Sequence, residues 1–419
     1  RARAKTKGLD TSGLDGVLAV DPQSRTAEVQ GMCTYETLVA ATLPFGLAPL
    51  VVPQLKTITL GGAVTGLGIE SSSFRNGLPH ESVQELDILT GAGELVTASP
   101  DAHSDLFCAF PNSYGTLGYS VRLRIELEPV QPFVELRHLR FRRVADLVDA
   151  LQRILDIGGH DGVPVDYLDG VVFGPDEGYL CLGMKTSTDG PISDYTGQRI
   201  FYQSIQHDAG ERHDRLTIAD YLWRWDTDWF WCSRAFGAQR PAIRRLWPRR
   251  YRRSSFYWKL VGLDQRYHLA DRIDRHSLRA PDQPLRERVV QDVEVPVERV
   301  TEFLDWFLRN VPITPIWLCP LRLRGDTAWP LYPMRPHHNY VNVGFWSSVP
   351  AGDTPGQTNR LIEDKVGELA GHKSLYSESF YSATDFDRLY GGEAYRKVKD
   401  VYDPDSRLLD LYEKAVQRQ

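Results

Sequence analysis

Between Pro53 and Ser73 the chain places Gly61, Gly62, Gly66 and Gly68 within eight positions, among the hydroxyl-bearing Thr59, Thr65, Ser71, Ser72 and Ser73 and beside one carboxylate, Glu70. A residue without Cβ lets backbone amides approach a phosphate or a flat ring closely, and small hydroxyl side chains add donors without bulk. That chemistry suits a dinucleotide. A G-x-G-x-x-G turn between strand and helix is missing, as is Gly-Lys-Ser/Thr, so the segment is neither a Rossmann nor a Walker loop. The same residues also suit a tight hairpin in a sheet. A second segment, Ser113-Tyr114-Gly115-Thr116-Leu117-Gly118, has the same character.

The stretch between Asp228 and Asp264 has no acidic residue. It carries Arg245, Arg249, Arg250, Arg252 and Arg253 interleaved with aromatic residues that include Trp247 and Trp258. Arginine forks engage phosphates and aromatic rings settle at the headgroup level, so the block reads as a docking surface for anionic phospholipid. The alternative is a solvated helix whose aromatic residues are core. Nucleic acid is disfavoured, because the net charge is -6 and the pI about 6.0. Cys33, Cys108, Cys181, Cys232 and Cys319 have no paired zinc spacing and an odd count, which fits a reducing cytoplasm, and no metal site is expected. The longest apolar stretch, Leu38 to Leu55, is broken by Pro44, Gly46, Pro49 and Pro53. No membrane span is expected, and the placement is peripheral, at the inner face of the membrane.

The elements that must position these residues read as α+β. Val17–Val20 and Thr26–Val29 flank a turn at Asp21-Pro22-Gln23-Ser24, a helix follows near Tyr35 to Leu43, and residues 83–98 form a second hairpin around Gly91-Ala92-Gly93. After Pro129 a strand, Phe133 to Phe141, leads to a helix with Val144, Leu147, Val148, Leu151, Ile154 and Leu155 at the 3.6-residue period. A second amphipathic helix carries Val300, Phe303, Leu304, Phe307 and Leu308, between strands at 289–295 and 339–346. A final helix is expected from Ser406. The domains read as 1–130, 131–375 and a closing segment, 376–419.

The order of the glycine pair, the strand pair Asp87-Ile88-Leu89-Thr90-Gly91-Ala92-Gly93-Glu94 and then Ser113-Tyr114-Gly115-Thr116-Leu117-Gly118 resembles the FAD-binding domain of the vanillyl-alcohol-oxidase (PCMH-type) flavoproteins. Gly68-Ile69-Glu70-Ser71-Ser72-Ser73, Ser104-Asp105-Leu106-Phe107, Gln291-Asp292-Val293-Glu294-Val295-Pro296 and Ile316-Trp317-Leu318-Cys319-Pro320 resemble its delta-24 sterol reductase branch. The resemblance implies a two-domain PCMH-type fold in which residues 1–130 and the last segment enclose FAD and the middle is an α+β substrate cap. It puts Pro53, Thr59, Gly61, Gly62, Gly66, Gly68, Glu70 and Ser71 along the pyrophosphate, ribitol and ring, and Gly115, Thr116 and Gly118 on the adenosine side. The family's glycine-rich pyrophosphate loop falls ahead of Arg1, and Tyr119-Ser120 replaces an aliphatic pair. No His or Cys aligns with an attachment position, so the FAD is expected to be non-covalent.

The branch reduces carbon–carbon double bonds. An isolated alkene is electron rich, so its reduction begins with protonation and requires an acid in a dry site. His338 and Tyr340, before a strand, and Glu294 or Asp292 are the candidates. The family includes bacterial members that act with a partner methyltransferase and reduce the 10-methylene group of a phospholipid acyl chain. The basic aromatic block favours that substrate, with NADPH as reductant. The alternatives are a sterol side-chain reductase, a flavin oxidase of an alcohol, and a flavin-free binding subunit of a lipid methyltransferase.

Overall fold

The computed structural model describes residues 9–267 and 286–418. Short alternating runs separated by turn residues build a first antiparallel sheet from β1 (Val17–Asp21), β2 (Thr26–Gln30), β3 (Leu47–Pro49), β4 (Val83–Leu89), β5 (Leu95–Ala98) and β6 (Tyr119–Pro129). The order is β1-β2-β6-β4-β5, with β3 on the C-terminal end of β6. The β1–β2 turn closes as its residues suggest, with Asp21 Oδ1 accepting the amides of Gln23 and Ser24 at 2.9 and 3.2 Å. The glycine run is a helix, Leu60–Gly66, and not a hairpin. Thr59 Oγ1 caps it by accepting the Gly62 amide at 3.1 Å, and Leu60, Ala63 and Val64 are buried.

The chain leaves this sheet at Pro129 and enters a second at Phe133. The further strands are β7 (Phe133–Phe141), a small pair β8 (Gly159–His160) and β9 (Val163–Pro164), β10 (Tyr167–Gly174), β11 (Glu177–Thr186), β12 (Glu211–Thr217), β13 (Arg286–Pro296), β14 (Ile316–Leu321), β15 (Tyr340–Pro350) and β16 (His372–Lys373). Eight of them pair antiparallel in the order β12-β7-β11-β10-β14-β15-β13-β16. Successive side chains point to opposite faces. One face, including Leu168, Leu180, Val293, Leu318, Val343 and Phe345, packs under the amphipathic helices Val144–Ile157, Val300–Asn310 and Gln357–Glu368. Each large apolar side chain buried there stabilises the sheet by about 1.5–3 kcal/mol. The other face carries Asp169, Cys319, Asp292, Glu294, Asn342 and Trp346. Its apolar members, Trp317 and Cys319, join the core of the first sheet.

The C-terminal segment returns to the first sheet through the helix Gly392–Tyr402. Tyr402 O accepts the Ala92 amide at 2.9 Å, the Tyr402 hydroxyl donates to Asp105 Oδ1 at 3.1 Å, and Lys399 Nζ donates to Thr116 O at 3.0 Å. The helix expected from Ser406 begins only at Leu411. Asp403, held by Lys399, takes the amides of Arg407 and Leu408 on its carboxylate, and Ser406 sits at φ 50°. These bonds hold the chain in a turn where the sequence pattern suggested a helix.

Candidate functional site

The two glycine segments meet across one side chain. Tyr114 donates from its hydroxyl to Gly66 O at 2.9 Å, and a Cβ on Gly66 would lie 3.5 Å from the Tyr114 ring. Gly62 is exposed, and Gly66, Tyr114 and Gly115 are half-buried, so together they form a partly exposed strip in which the Tyr114 ring lies over Gly66. Other members of the set serve packing. Gly61 is closed on by Ser120 Oγ and Gly31 O, 2.3 and 2.7 Å from a Cβ placed there, and its own amide is spent on Gly31 O at 2.8 Å. The Tyr119-Ser120 departure thus brings Ser120 against the glycine helix. Gly118, at φ 139°, has Leu89 O 2.5 Å from such a Cβ, and Gly68 lies between the rings of Pro53 and Pro79. Thr59 caps its helix. Thr116 is buried, with its hydroxyl on Ser113 O at 2.7 Å.

Glu70 and Ser71 do not line the strip. Glu70 is buried and accepts Arg224 Nη2 at 2.8 Å, and the same nitrogen reaches Asp169 Oδ2 on β10 at 2.8 Å. Ser71 Oγ donates to Glu70 Oε2 at 3.0 Å and is bonded to the Tyr221 hydroxyl at 2.9 Å, while Trp317 Nε1 donates to Asp169 Oδ2 at 3.3 Å. One guanidinium therefore joins the first sheet's loop to the second sheet. Arg224, Asp169 and Tyr221 were not foreseen. The sole local signal is an arginine set between Trp223 and Trp225.

On the polar face of the second sheet Asp292 and Glu294 stand side by side, because residues two apart on a strand share a face. Glu294 accepts from the Tyr332 hydroxyl and, at 3.2 Å, from Ser374 Oγ. Burial, reinforced by the neighbouring Asp292 charge, pushes its carboxyl up to about 8. Asp292 accepts Asn342 Nδ2 at 3.1 Å, and burial raises it to about 6. Burial, reinforced by both carboxylates, pushes the Tyr114 phenol upward. Of the other acid candidates, Tyr340 is buried on the same face but its hydroxyl accepts the Arg335 amide at 3.2 Å. His338 is half-buried against the Tyr340 ring, with Nε2 engaged 3.2 Å from Glu298 and 2.8 Å from Arg335 Nη2.

The basic aromatic block divides. Arg252 is buried, its guanidinium donating to Thr196 O and Trp247 O, both at 2.8 Å, and cannot reach a lipid. Arg253 is paired with Glu36, and Trp247 is half-buried against Phe256 at a ring distance of 5.9 Å. Phe230, Trp231 and Tyr257 are core. Arg245, Arg249 and Arg250 remain exposed beside Leu246, 84% exposed, and Trp258, 50% exposed.

Residues 4–99 match the FAD binding domain family. Over 99% of its length the chain is 26% identical to the Delta(24)-sterol reductase of Arabidopsis thaliana, covering 77% of that protein. Over 95% it is 25% identical to the Homo sapiens Delta(24)-sterol reductase, covering 75%. A stretch amounting to 31% of the chain is 35% identical to cytokinin dehydrogenase 10 of Oryza sativa subsp. japonica, covering 24% of it. The residues present fit FAD. Three of the four positions in the partly exposed Gly62–Gly66–Tyr114–Gly115 strip carry no side chain, and in the adjoining turn Asn112 Oδ1 and Ser113 Oγ are buried with no hydrogen-bond partner among the described residues. Residues 4–99 thus carry an FAD-binding domain within an α+β fold of the PCMH type, in a chain similar along nearly its whole length to the Delta(24)-sterol reductases.

Proposed function

We propose that the chain reduces an isolated carbon–carbon double bond of a lipid, with Glu294 as the proton donor. Glu294 carries the reading: it is a carboxyl that burial holds neutral at physiological pH, on the face of the second sheet that joins the core of the first, with the likeness to Delta(24)-sterol reductases as support. Gly62, Gly66, Tyr114 and Gly115 would hold the cofactor, and bound FAD in its reduced form, recharged by NADPH, supplies the hydride. Glu294 gives its proton to one alkene carbon, which leaves the positive charge on the more substituted carbon. Asp292, ionised at neutral pH, faces that charge, and the surrounding Trp317, Trp346 and Phe230 exclude water that would trap it.

The substrate preferred here is the 10-methylene group of a phospholipid-linked acyl chain, made by a partner methyltransferase. The exposed Arg245, Arg249 and Arg250 next to Trp258 suit a protein that works at an anionic membrane surface. A sterol side chain is the second reading, favoured by the names of the similar proteins. The test is anaerobic: the FAD-loaded protein is reduced with NADPH, then given phospholipid with a 10-methylene chain, and flavin absorbance and product mass are followed. Reoxidation with a gain of two hydrogens is the expected result. Reoxidation by oxygen alone makes the chain an oxidase.

The docking surface has its own test. Changing Arg245, Arg249 and Arg250 together to Ala should weaken binding to anionic vesicles by about a hundredfold, at roughly a factor of five per arginine, without changing binding to neutral vesicles. Co-sedimentation measures it, and unchanged binding removes the membrane role from this block.

A further inference from the structure

A groove of about 1090 Å³ opens where β13 begins and β15 ends, beside the loop 351–356 and the helix Gln357–Glu368. Its lining includes no member of the glycine strip and neither Asp292 nor Glu294. Four arginines reach it from three parts of the chain: Arg286 and Arg288, two apart on one face of β13, Arg360 in the first turn of the helix, and Arg418. Three of them have no carboxylate partner among the described residues. Arg286 is engaged by Ser348 alone, with Nε 2.8 Å from its hydroxyl, and Arg288 has no side-chain partner there. Arg360 donates to Phe380 O at 3.1 Å and lies 4.9 Å from the centre of the Phe380 ring, while Arg418 is paired with Glu378 at 3.0 Å. The groove's other acids are Glu287, which takes the Thr358 and Asn359 amides at 3.1 and 2.9 Å, and Asp353. Among the described residues only the Asp353 carboxylate is unengaged.

The aromatic wall of the groove is held from beneath. The Phe380 amide donates at 3.1 Å to the buried Glu363, which also takes the buried Lys373 Nζ at 2.6 Å, and Lys373 donates in turn to Ser379 Oγ at 3.2 Å. The Phe380 ring closes on Gly356, where φ is 73° and a Cβ would lie 2.2 Å from the ring. Only glycine permits both. Arg360, stacked on that ring and bonded to its carbonyl, therefore gives up little freedom when it binds an anion. Tyr412 donates to Tyr381 O at 3.4 Å, and both rings are half-buried in the lining.

We propose that this groove is a second nucleotide site that takes a nucleoside diphosphate, with the phosphates on Arg286, Arg288 and Arg360, the ribose hydroxyls on Asp353 and the base against Tyr381 and Tyr412. The site is separate from the FAD strip, and the inference does not depend on the lipid-alkene reading. Arginine forks match phosphate oxygens. A carboxylate beside them repels a bare anion but accepts hydrogen bonds from a ribose, as acidic residues do in dinucleotide sites. Flat bases stack on aromatic rings, and the volume exceeds the roughly 300–1,000 Å³ of pockets for drug-sized ligands, so a nucleotide has room. A phospholipid suits the groove less well. The aliphatic part of the lining is Ala351, Pro355 and Val416, which is little cover for an acyl chain.

The test titrates the FAD-loaded full chain, in which the cofactor fills its own adenosine site, with ADP, inorganic pyrophosphate and adenosine by calorimetry, and measures co-sedimentation with phosphatidylglycerol vesicles. ADP should bind at least about tenfold tighter than pyrophosphate, the margin that one stacked base supplies, and tighter still than adenosine. The Arg286→Ala, Arg288→Ala double variant should bind ADP about a hundredfold more weakly, and Arg288→Lys in place of Arg288→Ala should recover part of the loss. Asp353→Asn separates nucleotide recognition from plain charge. It should weaken ADP about fivefold, because a lost charge-assisted bond outweighs the relieved repulsion, and should tighten pyrophosphate, for which only the repulsion is lost. Equal binding of ADP and pyrophosphate, or tighter ADP binding in Asp353→Asn, makes the groove a general anion site and overturns the proposal. No ADP binding, or ADP binding that the double variant leaves unchanged, overturns it too. Vesicle binding that the double variant loses, without ADP binding, assigns the arginines to lipid headgroups and likewise overturns it.

Discussion

Glu294→Gln should lower turnover by roughly 10²–10⁴-fold, the range that a positioned general acid contributes, while leaving the fold and FAD retention intact. The side chain keeps its shape and can still meet Tyr332 and Ser374, but it has no proton to give. In the wild-type chain Asp292 titrates near 6 and Glu294 near 8, as a pair of close carboxyls. Activity should therefore rise as Asp292 ionises, fall as pH passes about 8, and lose the upper limb in the Gln variant. Stability supplies a second readout with a definite sign. The Glu294 folded-state value lies above its ordinary 4.5, so the folded chain holds a proton that the unfolded chain has released. The wild type should lose stability as pH rises from about 4.5 through about 8, and Glu294→Gln, neutral throughout, should not share that loss. At pH 9 the variant should unfold at the higher temperature. A variant that loses activity without this change in pH dependence would show that Glu294 is not the titrating acid.

The elements that periodicity specifies were legible before the fold was known. The strand Phe133–Phe141 and the helices beginning at Val144 and Val300 bury one face each, and burial imposes a repeat that sequence displays. The helix Leu60–Gly66 was not legible, since glycine disfavours helix and the compensation is the Thr59 cap and close packing on Gly31 and Ser120, thirty and sixty positions away. Glu294 was legible as a candidate because of the strand motif that contains it. His338 was equally visible, but its Nε2 is engaged by Glu298 and Arg335, neighbours that the motif does not reveal. The same blindness to distant partners made Arg252 and Arg253 look like free cations, because the carbonyl of Thr196 and the carboxylate of Glu36 that hold them lie in other elements.

The bridge at Arg224 is the extreme of that kind, joining Glu70 and Asp169 across 154 and 55 positions of sequence. Arg224→Met should cost about 3–5 kcal/mol, because it leaves two buried carboxylates without a cation. Thermal unfolding measures the loss, and FAD retention should weaken with it, since the bridge ties the Glu70 loop to the second sheet. Adding Glu70→Gln and Asp169→Asn to Arg224→Met should recover most of the stability, because amides tolerate the vacated site far better than carboxylates. The pH dependence separates this from a simple packing defect. In the single variant the two carboxyls can remain buried only by taking protons, which raises their folded-state values above the unfolded ones. The penalty should then be small near pH 5 and grow toward pH 8, as the unfolded chain releases the protons that the folded chain must keep. A loss of the same size at both pH values would mean that the methionine's shape, and not the orphaned charge, sets the cost. The triple variant would then recover little, and the link between the two sheets would rest on the aromatic packing around Trp225 and Trp317 instead.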